Sequence, residues 1–174
     1  MTQVRQLLLC RLTSVVHRVV FIDESCTWLM PLGKGGEGAW PEPVPNATLE
    51  RTLRDGIYGA FKEGMSRAPT RKALEHATRV HAVYATALTD TFQLLHPSGR
   101  ASALKELQRS NAKVSAKSFY RVVRRWLSGG CVVTALAPLW VSERPRHGSG
   151  DTVHKAAPVR KRPPTSNDSA RGSA

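Results

Sequence analysis

The chain has 174 residues, 41% of them hydrophobic and 6% aromatic, which suits one small or two very small domains and excludes a large core. Its 26 Lys and Arg against 13 Asp and Glu leave a net charge of +13, and the excess is local: residues 1–99 hold 11 basic against 9 acidic side chains, residues 100–174 hold 15 against 4. Charge of one sign gathered in one part of a chain is the footprint of a polyanion binder, nucleic acid above all. Cys10, Cys26 and Cys131 show no C-x-x-C spacing and no Cys/His pairing, so neither a disulfide framework nor a zinc site is expected, and a reducing cytosol fits.

Residues 1–22 contain Arg5, Arg11 and Arg18 and no acid, a pattern shared with amphipathic targeting leaders. The arginines interrupt every apolar run within six or seven residues, so no membrane span is expected. The favoured reading places one strand over 18–23, where β-branched residues cluster between charges, and a second over 27–30, ended by Pro31. Residues 33–38, G-K-G-G-E-G, look superficially like a phosphate-cradling loop, but a Pro-rich stretch follows where that motif needs Gly-Lys-Ser/Thr opening a helix. Residues 33–47 therefore read as a flexible linker. The Asn46-Ala47-Thr48 sequon means little without a secretion signal.

Leu49, Leu53, Ile57 and Phe61 recur every four residues, which predicts a helix capped by Asn46 or Thr48 and running to about Lys62. Thr70 caps a longer helical tract in which Leu74, Ala77, His81, Tyr84, Leu88, Phe92 and Leu95 keep helical spacing up to His96-Pro97-Ser98-Gly99. His76 and His81 are five residues apart and so do not share a face well enough to hold one metal. A further helix is expected over 100–109, then a turn over 110–113 in which Asn111 replaces the usual glycine.

The most informative stretch follows. Ser115 is placed to cap a helix on which Phe119, Val122, Val123 and Trp126 fall at i, i+3, i+4 and i+7, and Gly129-Gly130 can end it near Ser128. The opposite face carries Lys117, Ser118, Arg121, Arg124 and Arg125, and no acid occurs between Lys113 and Arg125 to neutralise it. An amphipathic helix with a charged face is in most soluble proteins just a solvated helix; here the uniform sign favours an anion lying against it. Two short helices joined by a tight turn, the second basic, are the pattern of helix-turn-helix readers of the major groove.

The expected fold is thus mainly α. A short β-strand pair in 1–32 and the linker 33–47 precede a helix and connector over 48–68, a helix-turn-helix three-helix domain over 70–140, and a disordered basic tail over 141–174 rich in Pro, Ser, Gly and Lys/Arg. Lys117, Ser118 and Arg121 are the candidate readers of base edges. Arg100, Lys113, Arg124 and Arg125, with Arg160, Lys161 and Arg162 in the tail, are the candidate phosphate contacts. No set of carboxylates is placed for metal-assisted hydrolysis, and no G-x-S-x-G, H-E-x-x-H or Cys-His pairing occurs, so the chain reads as a binder without catalytic site, metal or cofactor.

The run Phe119-Tyr120-Arg121-Val122-Val123-Arg124-Arg125-Trp126-x-x-Gly129, followed by Ala135-Leu136-Ala137-Pro138-Leu139-Trp140, resembles a segment of TnsB-like and Mu-like transposases that reads approximately V-Y-R-x-L-R-R-Y-W-x-x-G-x-x-x-x-A-L-x-P-x-Y. Leu127, Ser128, Ala137 and Leu139 depart from it, standing where the family tends to have Gln, Arg, Leu and Asp. The short strands near 18–31 and the basic tail after Arg144 extend the resemblance more loosely over 18–162. It implies double-stranded DNA as the partner, recognition of transposon ends, a cytoplasmic, nucleoid-associated setting in a prokaryote, and other transposition proteins or further copies of the chain on the DNA. The Asp-Asp-Glu catalytic domain of that family has no counterpart among these residues, so the resemblance implies a truncated or split transposase that docks without cutting. The alternative expectation is the product of a decayed reading frame, or a binder of DNA or RNA with no sequence preference.

Overall fold

Residues 7–32 are apolar in near-continuous runs, as strands covered on both faces tend to be. In a computed structural model, described over residues 2–33, 39–62, 68–110 and 113–138, they form β1 (Leu7–Cys10), β2 (Val15–Ile22) and β3 (Cys26–Leu32), an antiparallel meander. The strand β4 (Glu42–Pro45) pairs with β3, and β5 (Tyr58–Phe61) returns to pair with β1, giving the order β4-β3-β2-β1-β5. Pro43 and Pro45 lie within β4, which is tolerated because that strand is an edge.

Register sorts the side chains by face, since directly paired residues of antiparallel strands point the same way. Leu8, Val19 and Leu29 face one side, where the helix α1 (Asn46–Arg54) closes a small core through Leu49. His17 belongs to this side too, edge-on to the Tyr58 ring with centroids 5.6 Å apart. The other side carries Trp28 and Met30. An irregularity in the β2–β3 pairing between Val19 and Phe21 breaks the alternation there, and both Val20 and Phe21 join this second core.

The second core is closed by helices: α2 (Arg71–Leu88), α3 (Thr91–Leu95), α4 (Pro97–Ser110) and α5 (Ala116–Ser128), followed by a 3₁₀ turn at Val133–Leu136. Thr70 caps α2, its hydroxyl accepting from the Ala73 N–H, and Asp90 caps α3 through the Gln93 N–H. Phe119, Val122, Val123, Trp126 and Leu127 of α5 are buried here together with Ala77, Tyr84, Leu88, Leu94, Leu107 and Leu136.

This architecture corrects the mainly α expectation. A five-stranded antiparallel sheet replaces the short strand pair, and the basic helix is not closed by a three-helix body alone: α5 lies on β2 and β3 as well as on α2 and the 3₁₀ turn, and comes closer to these than to α4. Three elements differ for identifiable reasons. Ahead of the two expected strands, β1 shows no alternation because both its faces are covered. The helix read over 46–62 stops at Arg54 because Gly56 takes a positive φ of 72°, which turns the chain into β5 at Tyr58. The long tract read from Thr70 to Leu95 is two helices, since Asp90 takes an extended backbone to cap α3. The expected tail, 141–174, lies outside the described residues.

Candidate nucleic-acid interface

The basic helix begins where the sequence places it. Ser115 is extended, and its hydroxyl accepts from the Ser118 N–H at 3.2 Å. The helix ends in a Schellman arrangement: the Cys131 N–H reaches the Trp126 carbonyl at 2.8 Å, the Gly130 N–H reaches that of Leu127 at 3.1 Å, and Gly130 sits at φ 81°. Gly129 is required for another reason. A Cβ there would come within 2.1 Å of the Ala135 side chain, because the segment after the helix folds back onto its last turn.

That folding-back divides the cations of α5. Lys117 and Arg121, one turn apart, are exposed, and Lys113 is exposed just before the helix. Arg125 is half-buried and donates from Nη2 to the Ala137 carbonyl, which ties the returning segment down. Burial lowers its pKa below the ordinary guanidinium range, and Arg121 pushes in the same direction, yet an arginine stays charged under either influence. Arg124 is half-buried too, its guanidinium carbon 4.9 Å from the centroid of the Trp40 ring.

Arg100 belongs to the interior. It is 7% exposed, its Nη1 donates to the carbonyls of Leu94 and Leu95 at 3.0 and 2.8 Å, and its guanidinium carbon lies 4.0 Å from the same Trp40 centroid. Those carbonyls end α3, so this cation satisfies acceptors that a helix C-terminus leaves unpaired. Burial, chiefly, depresses its pKa; the Tyr120 hydroxyl opposes that and Arg124 adds to it. Ser118 is also turned inward, since the Tyr84 hydroxyl on α2 donates to its Oγ at 3.2 Å.

Of the residues singled out from the sequence, Lys113, Lys117 and Arg121 are therefore exposed, Lys117 and Arg121 one turn apart on α5 and Lys113 just before it, a ridge of basic side chains. Arg124 and Arg125 flank that ridge with their guanidinium groups engaged, whereas Arg100 and Ser118 face other parts of the protein. Arg160, Lys161 and Arg162 lie outside the described residues. Two side chains escaped the sequence reading. Trp40, in the stretch taken for linker, stacks with Arg100 and Arg124 and meets Tyr120 edge-on at 6.0 Å; a lone Trp among Gly and Pro was the available signal. Arg18 on β2 is buried beside the end of α5, its Nη1 3.2 Å from where a Gly130 Cβ would stand. Nothing in the local sequence distinguishes it from a surface arginine.

Among the described residues no three His, Cys, Asp or Glu side chains gather as a metal site would require, and no helix is long and apolar enough to cross a membrane. No protein-family model matches the chain, and no curated protein is significantly similar to it.

Proposed function

We propose that the chain binds double-stranded DNA through the first two turns of α5. The observation that carries this reading is the exposure of Lys117 and Arg121, one turn apart on a helix whose opposite face is anchored in the core, with Lys113 exposed just ahead of that helix. A helix fits the major groove of about 12 Å, and groove-reading helices use their N-terminal residues for the bases. Lys117 and Arg121 are long enough to reach base edges, and Lys113 is placed to meet the backbone. The resemblance of 119–140 to transposase segments supports transposon ends as the target.

One observation favours a second reading. With the Ser118 hydroxyl turned to Tyr84, the ridge offers only cations, which hold phosphates of any sequence. Sequence-indifferent duplex binding follows if Arg121 meets phosphate rather than a guanine edge.

Anisotropy titration of labelled duplexes separates the readings. Under the first, a sequence selected from a random pool binds more tightly than the pool, Arg121→Ala lowers that preference, and Lys117→Ala lowers affinity for both. Under the second, no sequence is enriched and each substitution flattens the dependence of log K on log salt by about 0.9. Duplex binding that survives Lys117→Ala/Arg121→Ala undiminished would sink both.

A further inference from the structure

Trp40, Arg100 and Arg124 form a group in which, among the described residues, no carboxylate pairs with either guanidinium. Two guanidinium carbons lie within 5 Å of one indole centroid, at 4.0 and 4.9 Å. The groups that act electrostatically on Arg100 are the Tyr120 hydroxyl and Arg124 itself, with no carboxylate among them. Two observations separate the arginines. Arg100 has its Nη1 fixed by two carbonyls, while Arg124 Nε is buried and has no hydrogen-bond partner among the described residues. Taking a cationic side chain out of water and leaving a donor unsatisfied is costly, and stacking on an indole offsets that cost only in part. With Nε closed off, an anion can meet this guanidinium only at its Nη nitrogens, and a tetrahedral oxyanion takes two such parallel N–H donors.

We propose that Arg124 is the contact residue of a built seat for one phosphate-type oxyanion, with Trp40 and Arg100 as positioning residues that hold its guanidinium in place. The seat lies on the α5 turn that follows Arg121. If the DNA-binding reading holds, its occupant is a backbone phosphodiester beside the groove entered by Lys117 and Arg121; the seat itself does not depend on that reading, because free phosphate presents the same oxygens.

The test uses the full chain with inorganic phosphate as probe, titrated against chloride at constant ionic strength and followed by the ¹⁵Nε resonance of Arg124 and by melting temperature. Saturable phosphate binding that moves this resonance, raises the melting temperature, and weakens about tenfold in Arg124→Gln but not in the exposed control Lys105→Gln supports the seat. A chloride response equal to that of phosphate, or phosphate binding unchanged in Arg124→Gln, overturns it. Trp40→Phe, which keeps an aromatic platform, should bind phosphate more weakly than wild type but better than Arg124→Gln. If it binds as well as wild type, Trp40 has no positioning role and the seat as described is wrong. Duplex DNA supplies the second arm. Phosphate displaced by duplex, with a salt slope smaller by about 0.9 in Arg124→Gln, identifies the phosphodiester as occupant; phosphate retained beside bound duplex identifies a small phosphate ligand. Loss of duplex binding in Lys117→Ala/Arg121→Ala with phosphate binding intact separates a failure of the seat from a failure of the α5 reading.

Discussion

The two halves of α5 carry the same residue types and do different things with them. In the first two turns Lys117 and Arg121 stand in solvent; in the last two, Arg124 stacks on Trp40 and Arg125 holds the Ala137 carbonyl. What differs is the cover. The segment after Gly130 folds back over the end of the helix, and Trp40 arrives beside it from the β3–β4 connection. A run of cations on one helix is therefore not one surface, and the number of charges a partner can meet is smaller than the number in the sequence.

Both halves share one anchor, so removing it is the harshest way to break the comparison. Phe119 is completely buried, and Phe119→Ala should destabilise the protein by about 3–5 kcal/mol, read by denaturant titration, taking the exposed and engaged cations down together. A loss under about 1 kcal/mol would mean that α5 is not seated on the sheet as described. A sharper cut falls between Arg121 and Arg125. Arg121→Ala should leave the melting temperature nearly unchanged and weaken a preferred duplex by about 1–3 kcal/mol. Arg125→Ala should cost about 1–3 kcal/mol of stability, because a charge-assisted hydrogen bond and the stem packing beneath it are lost. Equal effects of the two substitutions on stability would erase the division between the halves.

Smaller effects test how the exposed half is held. Ser115→Ala removes the cap that starts the helix at Lys117's own turn and should cost about 1 kcal/mol, whereas Ser115→Asp should largely retain it. The smallest expected effect lies away from α5, on the α1 side of the sheet, and serves as its control. Burial holds the His17 pKa below the ordinary 6.5, with a backbone hydrogen bond at Val15 and the charge of Glu42 opposing. Below that ordinary value the unfolded chain binds the proton more readily than the folded one, so stability is fully present above it and falls as the pH drops toward the depressed folded pKa. His17→Gln should remove this part of the acid dependence while leaving duplex binding untouched; an unchanged stability profile from pH 7 to 5 would show that His17 is not held neutral.

Much of α5 is legible in its own residues. The periodic apolar stripe, the Ser115 cap and the Gly-Gly stop are local signals, and α5 begins and ends within a residue of where they put it. The sheet is less legible. The residues of β1, Leu7-Leu8-Leu9-Cys10, show no alternation because the strand is covered on both sides, and β4 hides behind prolines that only an edge position permits. Reading α5 as the second half of a helix-turn-helix fails for a related reason: its apolar stripe is satisfied equally well by a sheet, and periodicity does not say which surface will cover it.

The motif that prompts the transposase resemblance is mostly architecture in this fold. Phe119, Val122, Val123, Trp126, Leu136 and Pro138 are buried, Gly129 admits Ala135, and Arg125 pins the chain that returns; among the described positions of the run, Arg121 is the exposed one. The sequence by itself determined which segments near the basic region are helical, where α5 starts and stops, and that its polar face is uniformly positive, because capping, periodicity and charge act over a few residues. Only the tertiary structure decided which of those charges reach solvent. Exposure depends on what distant segments such as Trp40, Tyr84 and the 3₁₀ turn lay across the helix, and contacts between residues tens of positions apart leave no periodic trace.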